Sequence, residues 1–158
     1  MAVTWTDFRA AEPALAASVK DRFEGHTHAV MATLRRDGAP RLFGMETPIR
    51  DGHLWLAMDT VSRKTDDLRR DSRFSIHSAP DEEDLRLGDA RVEGRAVPAL
   101  DTELEIFVKG HRFPIDDRSA LALFTADVTR VVLTRVEDRS LVVITWTPDG
   151  GMWTTRRA

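Results

Sequence analysis

The sequence predicts a mainly β protein: an antiparallel barrel of about seven strands with flanking α-helices. Three observations predict it. Short apolar runs of strand composition recur along most of the chain. Two of the joints between them are Asp-Gly pairs, Asp37-Gly38 and Asp51-Gly52, which favour tight hairpin turns. The connections are polar turns rather than the long crossovers of a doubly wound sheet.

At 158 residues the chain fits one domain, and a hydrophobic share of 42% is ordinary for a soluble protein with its own core. There is no cysteine, so disulfides and thiolate chemistry are excluded, and a reducing, cytoplasmic setting is expected. The first residues carry neither an apolar core nor a basic leader, and no apolar run approaches the length of a membrane span; neither signal peptide nor anchor is expected. The net charge of −3 gives no global drive toward nucleic acid or acidic lipid.

Residues 5–24 read as a helix. Pro13 suits a first helical turn, Leu15, Val19 and Phe23 form one apolar stripe, and Gly25 ends it. His28–Arg35 is a strand. After Asp37-Gly38 the return strand is Pro40–Arg50, bulged or at an edge near Pro48 because proline cannot donate to a ladder. Asp51-Gly52 leads to a third strand, His53–Met58, so these three strands are expected to form a meander. Ser62–Arg70 is a helix with Asp66 and Asp67 early and Arg69 and Arg70 late, a pattern that complements the helix dipole. Phe74 and Ile76 alternate with Ser75 and His77 in a fourth strand. Residues 79–88 are an acidic surface loop, and Asp81–Asp84 lacks the ligand spacing of a calcium loop. A fifth strand covers Asp89–Pro98, followed by a helix over 101–109 with Leu100, Leu104 and Phe107 on one side. Arg118–Phe124 reads as a short helix. Val128–Val136 and Leu141–Trp146 are two more strands, the second apolar on both faces and therefore expected to be central. A turn at Pro148–Gly151 precedes the tail.

The stretch with most chemistry is Leu54–Ser78. It runs strand, loop, helix, strand, and Ser62-Arg63-Lys64 falls where the helix begins. A helix N-terminus offers free N–H groups and partial positive charge to an anion such as phosphate. Ser62 adds a hydroxyl, and Arg63 and Lys64 add charge. Arg41 is a candidate third cation.

Two motifs in this order, A-T-L-x-x-D-G-x-P-R and S-R-K-x-x-x-L-R-x-D-x-R, together with ARVEGRA, resemble the pyridoxamine 5′-phosphate oxidase-like split-barrel flavoproteins. The closer resemblance is to the small actinobacterial flavin/deazaflavin oxidoreductases of that superfamily, over roughly residues 13–98. The resemblance implies a homodimeric split barrel with a flavin-type cofactor in each groove between subunits, the ring lying against the second and third strands. FMN is the first expectation, a deazaflavin coenzyme the second, and haem a further alternative. Carried over residue by residue, Arg41, Arg63 and Lys64 match phosphate-binding positions, and Ser62 matches the hydroxyl of the same loop. Ala57 and Met58 match third-strand positions that line the cofactor. Trp146 and Arg156 lie where the last strand and tail reach the partner subunit's flavin. Glu46 stands where true pyridoxamine-phosphate oxidases carry a basic residue, and their C-terminal substrate-phosphate motif has no match here. Both departures argue against that particular reaction.

Among other polar residues, His77 is a candidate donor to phosphate or substrate, with a plain strand-end histidine as the alternative. His26 and His28 would need further ligands to hold a metal, and none is expected. His111, in the loop GHRFP, is placed to touch substrate if that loop overhangs the groove. Trp146 and Trp153 are candidates for stacking beside a ring, and Trp55 is expected in a core. No G-x-G-x-x-G follows a strand, so a Rossmann nicotinamide site is not supported. The expected function is therefore hydride or electron-pair transfer with an unidentified small-molecule substrate, the cofactor carrying the chemistry. The alternative is a non-catalytic flavin, haem or tetrapyrrole binder on the same scaffold.

Overall fold

The computed structural model describes residues 1–80 and 85–158. Asp81–Asp84, the acidic centre of the expected surface loop, lies outside the described residues.

The N-terminal helical region is two helices. Helix α1, Trp5–Ala11, opens with a capping box in which the Thr4 hydroxyl accepts from Asp7 N–H and the Asp7 carboxylate accepts from Thr4 N–H. It breaks at Glu12, because a residue before proline is driven out of the helical region. Helix α2, Pro13–Glu24, then starts on Pro13 and ends at Gly25. Its buried stripe is Leu15, Ala16, Val19 and Phe23.

Strands β1 (Ala29–Leu34) and β2 (Pro40–Met45) form the first hairpin through Asp37-Gly38, with Gly38 at φ 84°. The expected long return strand is divided. After β2 the chain leaves the sheet at Glu46–Pro48 and resumes as β3 (Ile49–Arg50), which pairs across Asp51-Gly52 with β4 (His53–Asp59). Asp51 and Gly52 both have positive φ, as this turn requires. The three-strand meander is thus corrected: β2 pairs with β1 and β3 with β4, while β2 and β4 are not neighbours. The sequence pattern marks turns, but it does not say which strand an interrupted segment rejoins.

Helix α3 (Arg63–Arg70) leads to β5 (Arg73–His77), and β6 (Asp89–Pro98) follows. Helix α4 is Asp101–Lys109. The short helix expected at Arg118–Phe124 shrinks to a single 3-10 turn at Arg118–Ala120, and Leu121 begins β7 (Leu121–Glu137). Strand β8 (Ser140–Thr147) lies between β7 and β9 (Gly151–Arg157), a strand in the segment read as a tail.

Among the described residues the sheet has nine strands, all paired antiparallel, in the order β2-β1-β5-β6-β7-β4-β3, with β8 and β9 branching from β7. It curls without closing, because β2 and β3 end its two edges although they are adjacent in sequence. This is a split β-barrel with flanking helices. The main core fills its interior, with Met31, Leu54, Leu56, Ile76, Val92, Val128 and Val131 fully enclosed. Phe8 and Trp5 of α1 join this core against Trp146. A smaller core lies on the other face of β4, where α4 lays Phe107 over Trp55 and Leu123.

Candidate functional site

A cleft of about 390 Å³ is lined by His28, Gly44, Met45, Glu46, Pro48, Ala57, Lys64, Phe107, His111 and Phe113. One wall is the end of β2 and the segment leaving it. The facing wall is β4, with α4 and its following loop. The start of α3 stands beside them.

Alternation on β4 decides what reaches this cleft. Ala57 lies on the outer face with Trp55, next to α4, and lines the cleft. Met58 lies on the other face with Leu56, packed into the main core, and does not line the cleft.

Ser62 is the N-cap of α3. Its hydroxyl accepts from Thr65 N–H at 3.4 Å and shares a hydrogen bond of 2.9 Å with the Thr65 hydroxyl. Arg63 is exposed, with no hydrogen bond or ion pair to any described residue. Lys64 is half-buried, and its Nζ sits 4.8 Å from the centre of the Phe43 ring. Phe43 and Arg41 are two residues apart on β2 and share the face that meets α3. The N-terminal turn of α3 therefore presents two cations with no carboxylate of the described residues against them, beside a third on the facing strand.

Asp67 had the look of one more charge in a helix pattern, and the structure corrects this. It is 3% exposed, accepting from Arg41 Nε at 2.6 Å and Thr33 Oγ1 at 3.0 Å, and it pairs with Arg70 at 3.3 Å. Arg70 also donates to the Leu34 carbonyl. Burial pushes the Asp67 carboxyl up, but the hydrogen bonds from Arg41, Thr33 and Arg70 outweigh it and hold the group below its ordinary value. Asp71, at the end of α3, is lowered to about 2 by hydrogen bonds from the Arg73 side chain and backbone. Both folded-state values lie below the unfolded one near 3.8, so both carboxylates stabilise the fold above that pH. This stabilisation is expected to disappear as pH falls from about 4 toward about 2. Urea midpoints measured down that range should drop for the wild type and drop less for Asp71→Asn; identical profiles would remove Asp71 from the account.

The other expected site residues are elsewhere. His77 pairs in the sheet with Val30 and Arg91, and its Nδ1 is 2.6 Å from the Ser78 carbonyl, so it does not line the cleft. Trp146 is 4% exposed and packs on Phe8 with ring centres 4.7 Å apart. Its expected stacking on a ring is corrected, since α1 already covers that face. Arg156, on β9, donates to Glu137 Oε2 at 2.7 Å. Trp153, on the same strand, is exposed.

Sequence reasoning gave Phe107 only as one of an apolar side of α4 and named neither Met45 nor Phe113 for the site. The structure adds all three to the cleft. Arg50 braces this wall, donating from Nη2 to the Phe107 carbonyl at 2.7 Å while its guanidinium carbon lies 5.0 Å from the Phe107 ring centre. His111, with its ring centre 5.3 Å from that of Phe107, lines the cleft, as does Glu46.

A profile of the Pyridoxamine 5'-phosphate oxidase family matches residues 15–147. No curated protein sequence is significantly similar. Among solved structures, PhzG from Burkholderia lata 383, in complex with tetrahydrophenazine-1-carboxylic acid, superposes with a TM-score of 0.69 at 15% identity, covering 96% of this chain and 91% of that one. A pyridoxamine 5'-phosphate oxidase-related, FMN binding protein from Nostoc punctiforme PCC 73102 gives 0.61 at 14% identity, covering 93% and 96%. A heme binding protein from Mycobacterium smegmatis gives 0.57 at 18% identity, covering 89% and 87%. At these identities the structural likeness is one of fold, and the family rests on the profile, which spans the barrel, α3 and α4. With a profile match over most of its length and a split-barrel fold, the chain belongs to the pyridoxamine 5'-phosphate oxidase family.

Proposed function

We propose that the chain is an oxidoreductase that holds FMN, with the phosphate at the start of α3 and the ring in the adjoining cleft. The observation that carries this reading is the pair of cations, Arg63 and Lys64, unpaired with any described carboxylate, at a helix N-terminus whose Lys64 lines a cleft with both polar and aromatic walls. Such a corner suits a phosphate, and walls of Met45, Pro48, Ala57, Phe107 and Phe113 suit a flat apolar ring system. FMN, when bound, supplies hydride or electron-pair transfer. The chain's own residues bind and orient: Arg63 and Lys64 neutralise phosphate, Ser62 fixes the turn that presents them, and the aromatic residues on α4 and its loop exclude water. A deazaflavin coenzyme, whose tail also begins with a phosphate, fits the same corner.

One observation favours a second reading. His28 and His111 both line the cleft, and an imidazole is a common haem ligand. Haem binding would then replace flavin binding on the same scaffold.

The reading takes the working unit to be a homodimer, with the exposed apolar side chains Leu42 and Trp153 as candidate contact residues. Titrating the apo-protein with FMN, a deazaflavin coenzyme and haem, followed by absorbance, tests the assignment. A flavin band that co-migrates with a dimer in sedimentation is the expected result. A Soret band without flavin uptake would replace this reading with the second, and a monomer at micromolar concentration would remove the shared groove.

A further inference from the structure

Asp67 is the one charged side chain that the fold buries among the described residues. A buried carboxylate is costly unless its oxygens are satisfied, so its partners show what it is for. Oδ1 is held by Arg70, and Oδ2 accepts from Thr33 and from Arg41. Arg41 is gripped by Nε, at 2.6 Å, and its terminal nitrogens Nη1 and Nη2 bond to none of the described residues. A guanidinium is planar, so holding Nε fixes the direction in which the two terminal nitrogens point. Lys64 precedes Asp67 by three residues on α3, which places them on neighbouring parts of one helix face. That face meets Arg41 and Phe43 of β2, whose side chains touch Asp67 and Lys64 respectively.

We infer that Asp67 is a positioning residue, clamping Arg41 by Nε so that its terminal amino groups form a fixed fork for the anion bound at the start of α3. The inference rests on the phosphate reading of that corner. A fork set in advance gives up less freedom when it closes on a phosphate, and it can donate to two oxygens at once.

The sign of one substitution separates this role from others. Asp67 is a negative charge near an anion site, so by Coulomb attraction and repulsion alone Asp67→Ala should tighten binding of a phosphorylated ligand. Positioning predicts the reverse. The experiment measures dissociation constants for FMN and for riboflavin, which lacks the phosphate, in the wild type, Arg41→Ala, Asp67→Ala and the double variant, with circular-dichroism melting as a check on folding. Asp67→Ala is expected to weaken FMN about tenfold and riboflavin less than about twofold, and to add nothing in the Arg41→Ala background. FMN binding that is unchanged or tighter in Asp67→Ala, in a wild type that prefers FMN to riboflavin, overturns the inference and leaves the phosphate reading standing. So do equal losses for the two ligands. A wild type that binds both flavins equally overturns the phosphate reading itself, and the inference with it. If Asp67→Ala does not fold, Asp67→Asn decides: it keeps one acceptor oxygen, so a smaller FMN-specific loss that vanishes with Arg41→Ala supports the inference, and no loss overturns it.

Discussion

Replacing Arg63 and Lys64 together by alanine is expected to weaken FMN binding about 100-fold while changing riboflavin binding less than about twofold. Charge-assisted hydrogen bonds contribute about 1.5–3 kcal/mol each, and two of them lost from one phosphate site correspond to roughly two powers of ten. Arg63 is exposed and its share is screened by solvent and salt, which is why the lower end of that range is used. Lys64 is half-buried against Phe43 and should account for more of the loss. The single variants can be compared with the double one to expose any coupling. Fluorescence quenching of free flavin gives both constants. Equal losses for FMN and riboflavin would mean that these cations shape the cleft without touching a phosphate.

The largest effect on stability is expected from Phe8→Ala, a loss of about 3–5 kcal/mol. Phe8 is fully enclosed, its ring edge-on to Trp5 at 5.2 Å and tilted against Trp146 at 4.7 Å. Helix α1 has seven residues, too few to be stable alone, so it depends on this contact and on the bridge between Val3 and Val128. Removing the ring leaves a cavity between α1 and β8 that the backbone cannot easily close, because β8 is pinned by β7 on one side and β9 on the other. Urea denaturation should show a lower midpoint with an unchanged slope. Trp146, 4% exposed in the intact protein, should at the same time shift its emission to the red as water reaches it. A stability change under about 1 kcal/mol would show that α1 is dispensable to the core.

Turns and local periodicity carried the legible part of the fold. The two Asp-Gly turns, the proline start of α2, the limits of β6 and α4 and the helix start at Ser62 all follow from a few adjacent residues. What local pattern left open was partner choice. Pro48 announced an interruption, but only the finished sheet sends β3 to the edge opposite β2. Leu121–Phe124 contains good helix formers, yet pairing with Asp59–Leu56 on one side and Pro98 on the other holds it extended, tertiary contact overriding propensity. The place of Arg63 and Lys64 in the first turn of α3 was legible because a helix start is a local feature. Asp67 was not, since its partners Thr33 and Arg41 come from two strands that precede it by 26 or more residues. Its one sequence hint was its place beside Leu68, the sole large apolar residue of α3. Trp146 misled for the same reason: the residue that covers it, Phe8, lies at the far end of the sequence.

Strand β7 has a bearing on how the chain is made. It completes the ladders of both β4 and β6, and both are translated before it. Until Glu137 has left the ribosome, those two strands wait with open hydrogen-bonding edges, and closure must join Trp55 to Thr125 and Val92 to Val131 across long stretches of chain. Such non-local pairing is slow, and open edges invite pairing with other chains. A nascent or truncated chain that lacks β7 is therefore the species most exposed to aggregation, and the burden of protecting it falls on the interval in which residues 99–137 are being synthesised.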